Sequence, residues 1–131
     1  MSYRAYPLLI VFVLCALVQI GCSSDPSGQI IGVWVFDEAR TGDVNLTDAQ
    51  AIARFRETTI EFSADRSMVR TIGNDRQEGY YNATIDSNDR FIIEAQLGGN
   101  MVRWTVTVVD RNTINLQQAR QPSLPLKRQG S

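Results

Sequence analysis

The chain has 131 residues, in which 13 Lys and Arg nearly balance 14 Asp and Glu and give a net charge of −1. This length predicts one domain with a modest core, and the near-neutral charge argues against a nucleic-acid-binding protein that neutralises phosphates. The chain has no His, and its two Cys, Cys15 and Cys22, stand near the amino terminus. The commonest general base and the commonest metal ligands are therefore missing, which disfavours an enzyme, a metal site and a disulfide framework.

The amino-terminal segment has the pattern of a secretion signal. Arg4 precedes an apolar run over residues 8–18, which is shorter than the roughly 20 residues of a membrane-spanning helix. Gly21 stands directly before Cys22, and this junction resembles the lipobox of bacterial lipoproteins. Gln19 departs from that pattern, because an aliphatic residue, usually Leu, is expected three positions before the Cys. The alternative is an ordinary secretory signal with a Cys near its end by chance.

The lipoprotein resemblance implies a signal peptide over residues 1–21 and a lipid anchor on Cys22. That Cys would carry a diacylglycerol and a further acyl chain such as palmitate, since stable anchoring requires more than one chain. No Asp directly follows Cys22, so the resemblance implies the outer membrane of a Gram-negative cell, with the protein facing the periplasm. Residues 22–28, rich in Ser, Pro and Gly, are predicted to form the lipidated Cys and a flexible tether. The folded domain is expected over residues 29–131.

The folded part opens with residues 29–37, in which both alternating faces are largely apolar, as in a strand that begins a closed sheet. A polar break follows, and then the clearest helix signal of the chain. Thr47 and Gln50 have the spacing of a capping box, and Ile52 and Phe55 lie on one apolar face of the helix. A short helix is therefore predicted between the first two strands.

From residue 57 onward, apolar and polar residues alternate in segments that are separated by short turns. These segments are residues 57–62, 68–72, 79–85, 91–97, 102–108 and 114–116. Such spacing predicts an antiparallel meander. Pro125, in a last segment over residues 124–128, predicts an edge strand because proline cannot donate a ladder hydrogen bond. The predicted fold is mainly β: a small antiparallel up-and-down barrel or half-barrel of 7–8 strands with one short helix between strands 1 and 2.

Gly32 and Trp34 form a Gly-x-Trp motif at the start of the first strand. This motif, followed by a meander and a late basic residue, resembles the lipocalin and lipocalin-like families. The resemblance implies that the first strand closes the floor of the barrel. It also implies that a basic residue near the end of the meander lies over the Trp ring, in a cation–π contact of about 0.5–2 kcal/mol. Arg128 and Arg120 are the two candidates for this residue.

The interior of the predicted barrel allows two interpretations. The strands are expected to be short, at about six to nine residues, and their inward faces carry large side chains such as Phe62 and Trp104. Small barrels of this kind are usually filled, yet a ligand cavity is the alternative. In barrels that bind lipids or small apolar molecules, the segment between the first two strands commonly covers the open mouth. Ile52 and Phe55 are therefore candidate lid residues.

Two functions from different classes are compatible with this sequence, and neither is enzymatic. The first is a lipid-anchored, periplasm-facing binding module for a small apolar ligand or a lipid. The second is an envelope protein–protein interaction or inhibitor lipoprotein with a filled barrel and no ligand. No catalytic residue, cofactor, metal or nucleic acid is expected, since a Ser nucleophile would lack His. A cavity of a few hundred Å³ would favour the first function, and a filled interior with an exposed apolar patch would favour the second.

Overall fold

The computed structural model describes residues 26–130, and within them eight strands form a closed antiparallel barrel. In chain order the elements are a 3-10 helix, Pro26–Ile30; β1, Gly32–Phe36; a second 3-10 helix, Glu38–Val44; α1, Ala49–Arg56; β2, Thr58–Phe62; β3, Ser67–Ile72; β4, Asp75–Ser87; β5, Arg90–Leu97; β6, Asn100–Asp110; β7, Thr113–Gln118; and β8, Leu124–Arg128. Each strand pairs with the next, and β8 returns to pair with β1. The prediction of a mainly β up-and-down barrel with a short helix between strands 1 and 2 is confirmed. The predicted signal peptide and Cys22 lie outside the described residues.

The core is built from side chains that alternate along the strands and point into the barrel. In β5, for example, Phe91, Ile93, Ala95 and Leu97 are all buried, while the residues between them are more exposed. This is the period of two that the sequence displays, because successive strand side chains point to opposite faces of a sheet. The apolar pattern therefore places the core correctly.

β8 is not the edge strand that Pro125 predicts, since it pairs with both β7 and β1. Pro125 is buried and has no N–H to donate. Its carbonyl accepts the N–H of Asp37 at 2.9 Å. The guanidinium of Arg40 donates to the carbonyls of Ile114 and Leu126 at 3.0 and 2.7 Å. Asp37 and Arg40, which follow β1, thus donate hydrogen bonds to backbone carbonyls around the proline. These bonds allow β8 to be paired on both sides.

Two strands are longer than the expected six to nine residues: β4 has 13 and β6 has 11. The polar residues 75–78, which the sequence assigns to a turn, pair with β3 as far as the Ile72–Asp75 pair. A tight turn suffices between these strands because Gly73 adopts a φ of +61°, a left-handed conformation that hairpin turns use. The alternation is weak in this stretch because most of its side chains are exposed.

α1 begins later than the capping-box pattern predicts. Its N-cap is Asp48, whose carboxylate accepts the N–H of Gln50 at 3.0 Å, so the predicted role of Thr47 is wrong. Asp is as good an N-cap as Thr, because a carboxylate oxygen also satisfies an unpaired N–H of the first turn. Among residues 26–130, no helix has the length and apolar character needed to cross a membrane.

Candidate functional site

One end of the barrel is closed by Gly32, Trp34 and Arg128, which the structure brings together. Trp34 and Arg128 are partners across the β1–β8 pair. The guanidinium carbon of Arg128 lies 4.5 Å from the centroid of the buried Trp34 ring, within the range of a cation–π contact. The indole Nε1 of Trp34 donates to the carbonyl of Ile30 at 2.7 Å. We call this part of the barrel, defined by Gly32, Trp34 and Arg128, the closed end.

Arg128 also holds the main chain of neighbouring segments at the closed end. Its guanidinium donates to the carbonyls of Ile31, Gln29 and Arg111, at 2.6, 2.8 and 2.8 Å respectively. Arg128 therefore links the segment that precedes β1 to the turn between β6 and β7. Arg120, the other sequence candidate, is exposed in the turn after β7 and is not the residue that covers Trp34.

Gly32 is required at the closed end for two independent reasons. Its φ of +138° lies in a region that side-chain-bearing residues rarely adopt. A Cβ at this position would also lie 2.6 Å from Nη1 of Arg128. The role of the motif is therefore structural: Gly32 makes room for the guanidinium that covers Trp34.

The opposite end of the barrel contains a cavity of about 310 Å³, bordered by α1. Its wall is mixed. The apolar part includes Phe55, Ile60, Ile72, Trp104, Leu116 and Leu124, and the polar part consists of Arg54, Thr58, Arg70, Gln118 and Gln121. We call this part of the barrel the α1 end. The sequence allowed either a filled barrel or a barrel with a cavity, and the interior has one part of each kind. It is filled near the closed end by Trp34 and Phe62 and hollow at the α1 end.

The two candidate lid residues lie differently with respect to this cavity. Phe55 is half-buried, lines the cavity and packs at a centroid distance of 5.9 Å against the ring of Phe36, the last residue of β1. Ile52 is also half-buried but does not line the cavity. Of the predicted pair, Phe55 is therefore the one placed to touch a ligand.

Arg70 lies in the wall of the cavity and was not singled out from the sequence. It occupies the inward face of β3, between the inward residues Met68 and Ile72. Its guanidinium carbon lies 5.9 Å from the centroid of the Trp104 ring, and it donates a hydrogen bond to the side-chain oxygen of Gln77. The sequence signal was available: position 70 has the same parity as the apolar positions of its strand, so a charge there faces inward.

The environment of Arg70 is short of negative charge. Burial is the main cause of a lowered pKa at this residue, the cation of Arg54 lowers it further, and only Asp75 opposes these effects. The Nε–H of Arg70 is buried and finds no acceptor in the described part of the chain. Arg54 also lines the cavity, whereas none of the described lining residues is Asp or Glu. The cavity wall therefore combines apolar residues with neutral polar ones, Thr58, Gln118 and Gln121, and its charged groups are all positive.

A second surface feature lies on the outer face of the barrel. Tyr80 and Met101 are 69% and 65% exposed and flank Gln96 in one row across β4, β5 and β6. A shallow depression runs along this row. We call these three residues the outer row. The row is a small exposed surface with two large side chains.

Within residues 26–130 no cluster of His, Cys, Asp or Glu is placed to hold a metal ion. No family model matches the chain, and neither curated proteins nor solved structures yield a match to it.

Proposed function

We propose that this protein is a lipid-anchored, non-enzymatic binding module that holds a small apolar ligand or a lipid at the α1 end of its barrel. The observation that carries the proposal is the cavity of about 310 Å³. Ligand sites are concave, mostly apolar and about 300–1,000 Å³ in volume, with a few polar groups that orient the ligand. This cavity lies at the small end of that range, and its apolar residues are accompanied by two arginines and three neutral polar residues, which makes it more polar than most such sites.

In this proposal the protein faces the periplasm from the outer membrane, with Cys22 as its lipidated residue. The support is the apolar leader and the Gly21–Cys22 junction. A lipocalin-like relationship is part of the same proposal. It is supported by the Gly-x-Trp motif together with the contact of Arg128 and Trp34.

The test is binding of the neutral fluorescent probe N-phenyl-1-naphthylamine, whose emission rises in apolar surroundings. Ile72→Trp would place a larger side chain in the cavity wall, whereas Val69→Trp adds the same group to the outward face of the same strand. We expect the wild type and Val69→Trp to enhance the emission and Ile72→Trp to enhance it weakly. Circular dichroism checks that both variants fold. Absence of enhancement in the wild type, or equal binding by both variants, would contradict the proposal.

The outer row favours a second candidate function, docking on an envelope protein. Tyr80 and Met101 present apolar surface that nothing in residues 26–130 covers. A double variant, Tyr80→Ser with Met101→Ser, should then lose crosslinked partners of the lipidated protein, while Ile72→Trp should keep them. The opposite result, with crosslinks lost only in Ile72→Trp, would favour the cavity.

A further inference from the structure

Arg70 stands where the alternation of β3 calls for a core residue. Charged side chains are rarely turned into a barrel interior, because removing a charge from water is costly unless a partner compensates it. The compensation at Arg70 is incomplete. Its hydrogen-bond acceptor is the neutral amide of Gln77, and the buried Nε–H has none among residues 26–130.

A second positive charge borders the same cavity. Arg54, at the exposed end of α1, is close enough to Arg70 for their charges to repel. Asp75 attracts Arg70 but does not line the cavity. The described lining residues thus bring together two guanidinium groups and no carboxylate. An anion in the cavity would supply the missing negative charge and an acceptor.

We infer that the cavity takes a small amphipathic anion, a molecule with one carboxylate or phosphate group and a short apolar body, and that Arg70 binds the anionic group. This inference rests on the proposed function, since it names the class of the cavity ligand. A guanidinium presents a planar set of donors that matches a carboxylate or a phosphate. The apolar body would lie against Trp104 and Phe55, which line the same cavity.

Arg54 and Arg70 are expected to interact with an anion in different ways, because Arg54 is exposed and Arg70 is half-buried. Arg54 is exposed, so its charge is largely screened by water, and it attracts anions toward the mouth more than it holds them. Arg70 is half-buried beside Trp104, where charge-assisted hydrogen bonds are stronger. The volume of about 310 Å³ lies at the small end of the range for ligand sites, which favours a short apolar body.

The test uses the full chain and three probes with eight carbons each: octanoate, octyl phosphate and 1-octanol. Each probe displaces N-phenyl-1-naphthylamine from the wild type and from Arg70→Gln, Arg70→Lys and Arg103→Gln. Arg103 lies exposed on the outside of β6, so its replacement changes the net charge equally without touching the cavity. We expect the wild type to bind at least one anion tenfold or more tightly than octanol. Arg70→Gln should remove that preference, and Arg70→Lys should keep part of it, since Lys retains the charge but not the planar fork.

The outcomes separate the inference from the function on which it rests. Preference for octanoate points to a free carboxylate, and preference for octyl phosphate points to a phosphate group; either supports the inference. Equal binding of octanol and both anions, or an equal effect of Arg70→Gln and Arg103→Gln, overturns it while the binding module stands. Failure of all probes, including the naphthylamine, overturns the proposed function itself. If Arg70→Gln does not fold, Arg70→Lys provides the comparison, and an anion preference in this variant equal to that of the wild type overturns the inference.

Discussion

At the scale of single residues, the closed end depends on two side chains and on one glycine that leaves room for them. Trp34 fills the barrel, Arg128 covers its ring, and Gly32 leaves the space that the guanidinium occupies. Because Arg128 also binds three main-chain carbonyls, its place is determined by the backbone as much as by the indole ring. The contacts of the Gly-x-Trp motif are therefore structural, and the cavity lies at the other end of the barrel.

Trp34→Ala should lower the free energy of unfolding by about 3–5 kcal/mol, the usual cost of truncating a large buried aromatic residue. The physical reason is the cavity left behind, since Trp34 is fully buried, and the loss of its hydrogen bond to Ile30. Urea denaturation measures the change. Tyr80→Ala serves as the control, because Tyr80 is a large aromatic residue that is mostly exposed. A loss below about 1 kcal/mol for Trp34→Ala would mean that this ring is not central to the core.

Gly32→Ala should destabilise the barrel by at least about 1–3 kcal/mol, the cost of a strained backbone conformation. The φ of +138° and the approach of Arg128 to 2.6 Å both oppose a methyl group at this position. Gly28→Ala is the matched control, since a Cβ there meets nothing within 4 Å. Thermal unfolding of the two variants makes the comparison, and equal melting temperatures would refute the assigned role of Gly32.

At the scale of elements, the main departure from expectation is β8. Sequence rules confine proline to edge strands because they consider the strand alone. The acceptors around Pro125 are satisfied by Asp37 and Arg40, which lie some 85 positions earlier in the chain. No local pattern reveals such a partner, whereas the alternation of β5 and β6 needs none. This is why the alternating strands and a barrel were predictable, whereas the pairing of the proline-containing β8 on both sides was not.

Arg40→Met should lower the free energy of unfolding by about 2–3 kcal/mol, because it leaves buried acceptors unpaired while keeping the length of the side chain. Arg40 binds Asp37 at 2.8 Å and Asn115 at 2.8 Å in addition to two carbonyls. Arg56→Met removes an exposed ion pair with Glu38 and should change stability little. Chemical denaturation distinguishes the two, and a loss in Arg40→Met no greater than that in Arg56→Met would contradict this account of β8.

The turn between β2 and β3 should contribute to acid sensitivity. Hydrogen bonds from the hydroxyl and then the N–H of Ser67 lower the pKa of Asp65 below its ordinary value of 3.8. A carboxyl group with a lowered folded-state pKa stabilises the fold above its unfolded-state pKa, and this contribution is lost as the pH falls through the folded-state value. Urea unfolding from about pH 5 to about pH 2 should therefore show a shallower decline in Asp65→Asn. An unchanged pH profile in this variant would contradict the expectation.

At the scale of the whole molecule, the barrel is divided into a filled part and a hollow part. Alternation in the sequence reveals which side chains point inward, and these include Phe62, Phe91 and Trp104. It does not reveal how completely they fill the interior, because that depends on strand lengths and on where α1 lies. Arg70 is an example of this limit. The parity of its position predicts that its charge points inward, but only the structure shows the cavity beside it.

The described part of the chain enters the barrel at the closed end, through Ile30 and Gly32, opposite the cavity at the α1 end. Cys22→Ser should abolish labelling with a radioactive fatty acid, since Cys22 is the proposed site of lipid attachment. Cys15→Ser is the control, because that residue lies within the predicted signal peptide. Both variants should bind the naphthylamine probe like the wild type, as neither substitution lies in the barrel. Undiminished labelling of Cys22→Ser would refute the lipoprotein proposal and leave the cavity's function to be judged by ligand binding alone.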